Sequence, residues 1–217
     1  MNLGRLARAV LGERWFPVIG ARYRAFFVDL EKVIDSLPPL PDQANILDVG
    51  GGDGAVLNVI LRRYPNARAT LIDLATNLGG SLDPERANRV TLLPGMTLRE
   101  YQAMSRPRPD LIVVSDVLHH IPPAARPGFF ADLRAVIAGA RTVLFVKDVE
   151  PGSWRAMAGY LADRYISRDP NVELIGERQV RDLLSDVFPA AVVRPTDLLT
   201  RDRPNYSVIC DLPSEKS

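Results

Sequence analysis

The residues best suited to chemistry in this 217-residue sequence lie where apolar runs end, and the first two of these ends carry an acid. Asp48 lies at the end of the apolar run 45–49 and precedes the glycine-rich stretch 50–54. Asp73 closes the next apolar run, 25 residues further along the chain. Glycines at a strand-to-helix turn let a ligand approach the backbone closely. The pattern therefore predicts a ligand site at this turn.

The charge of Asp48 distinguishes between two classes of ligand. Gly50, Gly52 and Ala55 also fit the looser glycine pattern of dinucleotide sites, where a pyrophosphate lies at the helix N-terminus. A carboxylate about 4 Å from a phosphate is repelled by about 4 kcal/mol at an effective dielectric constant of 20. Asp48 therefore favours a cationic ligand, such as S-adenosylmethionine with its ammonium and sulfonium groups, over NAD.

The other two acids of this region predict different roles. A carboxylate at the position of Asp73 is able to accept both ribose hydroxyls of an adenosyl group, and the interval after Asp48 corresponds to one helix plus one strand. Asp53 stands at the start of the predicted helix, where Asp is a favoured N-cap residue. We therefore interpret Asp53 as a helix cap and Asp73 as a ligand contact.

The two histidines of the chain, His119 and His120, follow the fourth apolar run, 111–114. Methyl transfer needs a general base only when the acceptor atom carries a proton, as in a phenol with a pKa of about 10. Adjacent helical residues point about 100° apart, so at most one histidine is expected to face an acceptor. The alternative role for the pair is a polar cap, or shaping of the substrate pocket.

Lys147 and Asp148 end the fifth apolar run at the same predicted edge. They are interpreted as substrate contacts or, more in keeping with their charges, as members of a mutual or neighbouring ion pair. Two adjacent histidines and scattered acids lack the spacing of metal ligands, so the sequence predicts no metal site.

The elements that would position these residues alternate along the chain. Apolar runs that predict strands occupy 45–49, 69–72, 90–93, 111–114, 142–146, 191–194 and 206–210. Helical patterns separate the first five runs, as a parallel sheet with both faces covered requires. A loop of about a dozen residues joins the last two runs, which predicts an antiparallel pair at the sheet edge.

Two of these stretches resemble motifs of one family. The stretch 46–54 (ILDVGGGDG) resembles motif I of class I S-adenosylmethionine-dependent methyltransferases, with a triple glycine similar to that of small-molecule O-methyltransferases. The stretch 110–121 (DLIVVSDVLHHI) resembles their fourth-strand motif. The resemblance implies a seven-stranded, mostly parallel, doubly wound α/β sheet with an antiparallel edge strand. It also implies methyl transfer. The acceptor that we predict is a small-molecule or lipid-linked one, methylated at oxygen, nitrogen or carbon.

The resemblance also assigns donor contacts residue by residue. Asp48 would face the methionine ammonium, Asp73 would hold the ribose, and the loop 95–97 would flank the adenine. Many members carry an acid or Asn in that loop, whereas this chain has Met96 and Thr97, so a backbone contact or the Thr97 hydroxyl is expected instead. The predicted donor-binding set is Asp48, Gly50, Gly51, Gly52, Asp73, Leu74, Met96 and Asp116, and His119 and His120 are the catalytic candidates. Orienting the acceptor or forming a structural turn are the alternative roles for Asp116.

Charge and composition predict how the rest of the chain is organised. We predict a helical N-terminal extension over 1–42, a donor-binding domain over 43–212 and a polar tail over 213–217. Residues 1–24 carry five arginines against one glutamate, so this basic segment is interpreted as a lid over the donor, a solvated face, or a peripheral contact with anionic lipid. A homodimer is a further alternative. The sequence has no secretory or membrane-spanning pattern, which predicts a cytoplasmic protein.

Three classes of function stay open besides a small-molecule methyltransferase. A net charge of +1 gives no case for a nucleic-acid partner, and the chain lacks an Asn/Asp-Pro-Pro-aromatic motif after the fourth run, so a nucleic-acid or protein methyltransferase ranks lower. A non-catalytic module that binds the donor is compatible with the same glycines and acids. An NAD-dependent oxidoreductase is disfavoured by Asp48.

The single cysteine, Cys210, lies in an alternating stretch and is expected to be buried.

Overall fold

A computed structural model describes residues 34–137, 141–152, 173–196 and 205–213. Seven strands form one sheet in the order β3-β2-β1-β4-β5-β7-β6. Their bounds are β1 Asn45–Val49, β2 Arg68–Asp73, β3 Val90–Pro94, β4 Leu111–Ser115, β5 Thr142–Val149, β6 Val192–Pro195 and β7 Asn205–Leu212. Strands β1 to β5 are parallel, and β7 is antiparallel to both β5 and β6. The predicted mostly parallel sheet with an antiparallel pair at its edge is confirmed.

Helices connect the strands as the apolar spacing predicted. Their bounds are α1 Ala55–Arg63, α2 Pro84–Ala87, α3 Leu98–Gln102, α4 Arg126–Ile137 and α5 Glu177–Val187, with single 3₁₀ turns at Leu118–His120 and Pro123–Ala125. Among these helices the longest has 12 residues, and none combines the length and apolarity of a membrane span. The predicted helices before residue 34 and the helical spacing of Trp154, Met157, Tyr160 and Leu161 lie outside the described residues. The division at 42 and 212 stays a prediction.

The two faces of the sheet carry separate cores because successive strand residues point to opposite sides. One core joins β-strand residues such as Leu47, Val114 and Leu144 to α3, α4 and α5. The other joins residues such as Ile46 and Phe145 to α1, and it includes Ile34 and Leu37. Cys210 is buried in the first core, as its alternation predicted. Helices on both faces make the sheet doubly wound.

The parallel strands bring their carboxyl ends to one edge of the sheet, where ligands of open α/β folds bind. The turn after β1, Asp73 at the end of β2, and Asp116 after β4 lie at this edge. Strand β5 continues to Val149, so Lys147 and Asp148 are among its last three residues. The chain segments that carry the predicted site residues thus converge on one edge.

The end of β5 also anchors the start of α5. Glu150 accepts a hydrogen bond from the Glu177 backbone N–H at 2.8 Å, and Gln179 accepts one from the Gly176 N–H at 3.1 Å. The hydroxyl of buried Tyr206 on β7 donates to the Ile175 carbonyl at 2.9 Å. The first two bonds satisfy N–H groups at the start of the helix, which have no partner within it. The third ties β7 to the residue before the N-cap.

We predict that Glu150→Ala lowers the free energy of unfolding by about 1 kcal/mol, because it leaves the Glu177 N–H without its acceptor. Urea unfolding followed by circular dichroism measures the change. Glu150→Gln keeps an acceptor oxygen at the same distance along the side chain and is expected to lose less than half as much. Equal losses in the two variants would show that the carboxylate charge, and not the hydrogen bond, stabilises this junction.

Candidate active site

The glycine loop after β1 is shaped by close packing on two sides. Gly50 has φ of +68°, and a Cβ there would lie 2.6 Å from a methyl group of Val117. A Cβ at Gly51 would overlap the carboxylate of Asp48. Both positions therefore exclude any larger side chain, and the backbone of the loop lies directly over Asp48.

Asp48 carries a buried carboxylate, with 1 % of the residue exposed. Neither of its carboxylate oxygens has a hydrogen-bond partner among the described residues. Burial, followed by the nearby carboxylates of Asp73 and Asp53, raises the pKa of Asp48 to about 7. An ionised carboxylate in this position lacks compensation from the described protein groups, so the site favours a ligand that brings positive charge.

Asp73 holds the other side of the loop. Its Oδ2 accepts a hydrogen bond from the Gly52 N–H at 2.9 Å, and its Oδ1 accepts one from the Ala75 N–H at 2.8 Å. The next residue, Leu74, is 72 % exposed at the same edge. Asp73 therefore fixes the loop in addition to any contact with a ligand, a role that the strand spacing alone did not indicate.

The N-cap of α1 is Gly54, and the prediction of Asp53 at that position is wrong by one residue. The left-handed conformation of Gly54 starts the helix one residue later than expected. Asp53 still contributes to the helix end, because its Oδ1 accepts a hydrogen bond from the Ala55 N–H at 3.2 Å. Its Oδ2 accepts a second one, from the Ser81 hydroxyl at 2.8 Å.

In the loop after β3, Met96 lies beside Asp73 and Thr97 caps the start of helix α3. The Met96 N–H donates to the Asp73 carbonyl at 3.0 Å. Thr97 is the N-cap of α3, and its hydroxyl donates to Glu100 at 2.7 Å while accepting from the Glu100 N–H. Because this hydroxyl already has two partners, a backbone contact is the better of the two predicted ways to bind an adenine.

Asp116 and Lys147 form a close ion pair at the ends of β4 and β5. Lys147 Nζ lies 2.6 Å from Asp116 Oδ1 and 2.8 Å from Oδ2, and the Asp116 N–H donates to the Lys147 carbonyl at 2.9 Å. Desolvation opposes ionisation of the half-buried Asp116, but the Lys147 ammonium outweighs it and holds the pKa of Asp116 below its ordinary value. Asp116 adopts φ of 60°, a left-handed conformation that few residues other than glycine accept.

His119 and Asp148 form a second close pair on the same two strands. His119 Nδ1 lies 2.6 Å from Asp148 Oδ1, and the His119 N–H donates to Asp148 Oδ2 at 3.3 Å. The exposed fraction of His119 is 4 %, and its carbonyl accepts from the Glu173 N–H at 2.8 Å. His120 is exposed, and its ring centroid lies 4.1 Å from that of His119. The structure therefore distinguishes the two histidines by burial and by the Asp148 contact.

The sequence placed Lys147 and Asp148 at the correct edge and favoured a neighbouring ion pair, and each of them does pair with a neighbouring residue. It did not identify their partners, Asp116 and His119. The signal was a pair of charges at the end of an otherwise apolar strand. Arg126, which donates from Nε to the Ile121 carbonyl at 3.0 Å and from Nη2 to the Glu173 carbonyl at 2.6 Å, had no signal in the sequence. Within the described ranges no cluster of His, Cys, Asp and Glu is arranged to hold a metal ion.

Comparison with known proteins gives one family match. A family model described as a methyltransferase domain matches residues 21–186. In sequence, the chain is 31 % identical over 121 residues to a 3-amino-4-hydroxybenzoate 4-O-methyltransferase of Streptomyces cremeus, covering 53 % of this chain and 32 % of that protein. It is 26 % identical over 171 residues to an O-demethylpuromycin-O-methyltransferase of Streptomyces alboniger, covering 71 % and 42 %. The chain therefore spans less than half the length of these two curated relatives.

A solved structure supports the fold. The crystal structure of human N-acetylserotonin methyltransferase in complex with S-adenosylmethionine (SAM) superposes with a TM-score of 0.64 and 14 % sequence identity. The superposition covers 91 % of this chain and 55 % of that one. At this identity the likeness shows a shared architecture.

We predict that Asp48→Asn stabilises the ligand-free protein at pH 8 more than at pH 5. The pKa of Asp48 is higher in the folded protein than in the unfolded chain, so its contribution to stability is present below the unfolded pKa and is lost as the pH rises through about 7. The upper bound on this loss is about 4 kcal/mol. Urea unfolding of both proteins at the two pH values measures the difference.

The control for this prediction is Asp186→Asn, which removes an exposed carboxylate on α5. It is expected to change the free energy of unfolding equally at pH 5 and pH 8. If Asp48→Asn showed the same flat profile, the buried carboxylate would have a compensating partner, and the argument for a cationic ligand would lose its basis.

Proposed function

The chain belongs to the methyltransferase domain family, and we propose that it transfers the methyl group of S-adenosylmethionine to a hydroxyl oxygen of a small aromatic acceptor. The observation that carries the choice of donor is the buried Asp48 carboxylate, whose oxygens have no hydrogen-bond partner among the described residues. The choice of an oxygen acceptor is supported by the two relatives, whose names specify O-methylation of 3-amino-4-hydroxybenzoate and O-demethylpuromycin.

The residues of the glycine loop fit this donor. Asp48 would bind the methionine ammonium, since the ammonium supplies a positive charge and hydrogen-bond donors that the described residues do not provide to this carboxylate. Gly50, Gly51 and Gly52 leave the backbone open to the donor, and Asp73 would accept hydrogen bonds from the ribose. The exposed Leu74, with Met96 and the half-exposed Asp116, completes the proposed donor contacts. When bound, S-adenosylmethionine supplies a methyl group that its sulfonium already activates for displacement.

His119 is the proposed general base, and Asp148 sets its orientation. A carboxylate that accepts a hydrogen bond from Nδ1–H leaves Nε2 as the nitrogen that takes up a proton. Nε2 of His119 would take up the hydroxyl proton of the acceptor, whose oxygen would then receive the methyl group that the donor supplies. Alignment of the two reactants supplies much of the rate, because the donor needs no further activation.

We propose a small molecule, and no nucleic acid, as the acceptor, because a net charge of +1 lacks the basic surface that nucleic-acid binding requires. A peripheral membrane contact through residues 1–24, a lid formed by 1–42 and a homodimer stay predictions from the sequence. Residues 1–33, which would carry the membrane contact and most of the lid, lie outside the described residues.

The test of the proposed function is methyl transfer to a panel of phenols, with 3-amino-4-hydroxybenzoate as the first member and 3-aminobenzoate as its control without the hydroxyl. We expect one methyl group to be added to hydroxyl-bearing acceptors only, as detected by mass spectrometry.

Asp73→Asn is expected to weaken donor binding by about tenfold to a hundredfold in calorimetry, because a charged acceptor of hydrogen bonds is lost. Asp186→Asn, on the surface of α5, should bind like wild type.

Two results would contradict the proposal in different ways. Donor binding without transfer to any acceptor would favour the non-catalytic donor-binding module. A folded protein that does not bind S-adenosylmethionine at all would remove the donor assignment together with the reaction.

For the base, we predict that His119→Asn lowers kcat by about 10²-fold or more on a phenol with a pKa near 10. The loss should shrink on a phenol whose pKa lies below the assay pH, because that acceptor is already ionised. His120→Asn removes the neighbouring exposed histidine and should retain most of the activity. Equal losses for the two acceptors would mean that His119 acts in binding and not in proton transfer.

A further inference from the structure

Lys147 is the buried charged side chain at the ligand edge that the proposed reaction does not use. Its exposed fraction is 1 %, and it lies on β5 in register with Ser115 of β4 and Ser207 of β7. Both oxygens of Asp116 lie within 2.8 Å of its ammonium. Removing an ammonium from water is unfavourable, and a pair of apolar side chains often stabilises a fold as well as a buried ion pair does. A role in the site therefore explains the burial of Lys147 better than a contribution to stability does.

The partner of Lys147 lies in the chain segment that contacts the glycine loop and carries the proposed base. Asp116 precedes Val117, whose side chain lies against Gly50, and it is three residues before His119. The two residues interact electrostatically, since a protonated His119 favours the ionised form of Asp116. By reciprocity, an ionised Asp116 favours a protonated His119. Lys147 is placed to offset that effect.

We propose that Lys147 is a positioning residue, which pairs with the Asp116 carboxylate and offsets the influence of that carboxylate on the protonation of His119. This inference rests on the proposed role of His119 as the base. Lys147 touches neither reactant in it and acts through Asp116. The left-handed backbone of Asp116 is held from both sides, by the ammonium on its carboxylate and by the Lys147 carbonyl on its N–H.

Other charged and titratable groups surround His119 and enter the same balance. Asp148 on β5 bonds to its ring, and His120 lies against it. Tyr206 on β7 is close enough to Asp148 and Asp116 for their charges to raise the pKa of its phenol, after the larger effect of burial. Glu150 acts on Tyr206 in the same direction, and Arg126 on α4 acts in the opposite one. Variants of Asp116 and Lys147 leave these groups in place, so they isolate one pair.

The test is the titration of His119 by NMR in the ligand-free protein. The chain has two histidines, so a His120→Gln background leaves one imidazole signal to follow. We expect Asp116→Asn to lower the titration midpoint by about one pH unit, because Lys147 is left unopposed. Lys147→Met should raise it by a similar amount, because Asp116 is left unopposed. The double variant should return the midpoint close to the starting value, and Lys147→Arg, which keeps the charge, should stay near it.

Midpoints that do not move, or that move in the same direction in both single variants, would overturn the proposal. If Asp116→Asn leaves Lys147 buried without a partner and the protein does not fold, Lys147→Met and the uncharged double variant still decide between the outcomes. The titration needs neither donor nor acceptor, so it is independent of whether methyl transfer is observed. In an active protein the acid limb of kcat/KM should move with the midpoint, which a merely structural role for Lys147 would not produce.

Discussion

The burial of one carboxylate behind a glycine loop is the constraint on which the rest of the site depends. Asp48 lies under the loop with 1 % of the residue exposed. A Cβ at Gly51 would overlap its carboxylate, so the backbone of the loop can pack against Asp48 only because residue 51 is glycine. Asp73 then ties the Gly52 N–H to the next strand. Loop, buried charge and second acid form one unit, because moving any of them would change the electrostatic environment of the other two.

Strand β5 supplies the second half of the site through simple alternation. Val143 and Phe145 pack with one core and Leu144 and Val146 with the other, so consecutive residues at the end of the strand serve opposite faces. Lys147 therefore reaches Asp116 while Asp148 reaches His119. A one-residue shift of β5 against β4 would exchange these faces and separate both pairs. The apolar part of the strand thus fixes the register on which its charged end depends.

The sequence predicted the sheet and the glycine loop because apolar spacing and glycine carry that information locally. The apolar part of the run predicted for β5 ends at 146, whereas the strand runs to Val149, since an apolar pattern does not reveal that Lys147 and Asp148 are buried in contact with Asp116 and His119. The start of α1 was displaced by one residue because the favoured cap type at Asp53 competed with a left-handed Gly54. The partners of Lys147 and Asp148 come from strand register, which no local pattern encodes.

The charges of the site are distributed unequally, and this difference agrees with the proposed chemistry. At the glycine loop the described residues give the Asp48 carboxylate no hydrogen-bond partner, whereas at the ends of β4 and β5 the Asp116 carboxylate is paired with Lys147. A cationic donor is stabilised where negative charge is left over, and a proton leaves an acceptor most readily where the base is not already protonated. Transfer of a methyl group from a sulfonium to a deprotonated oxygen removes one charge of each sign. A buried site of low dielectric constant favours that change, because it holds separated charges at a higher cost than water does.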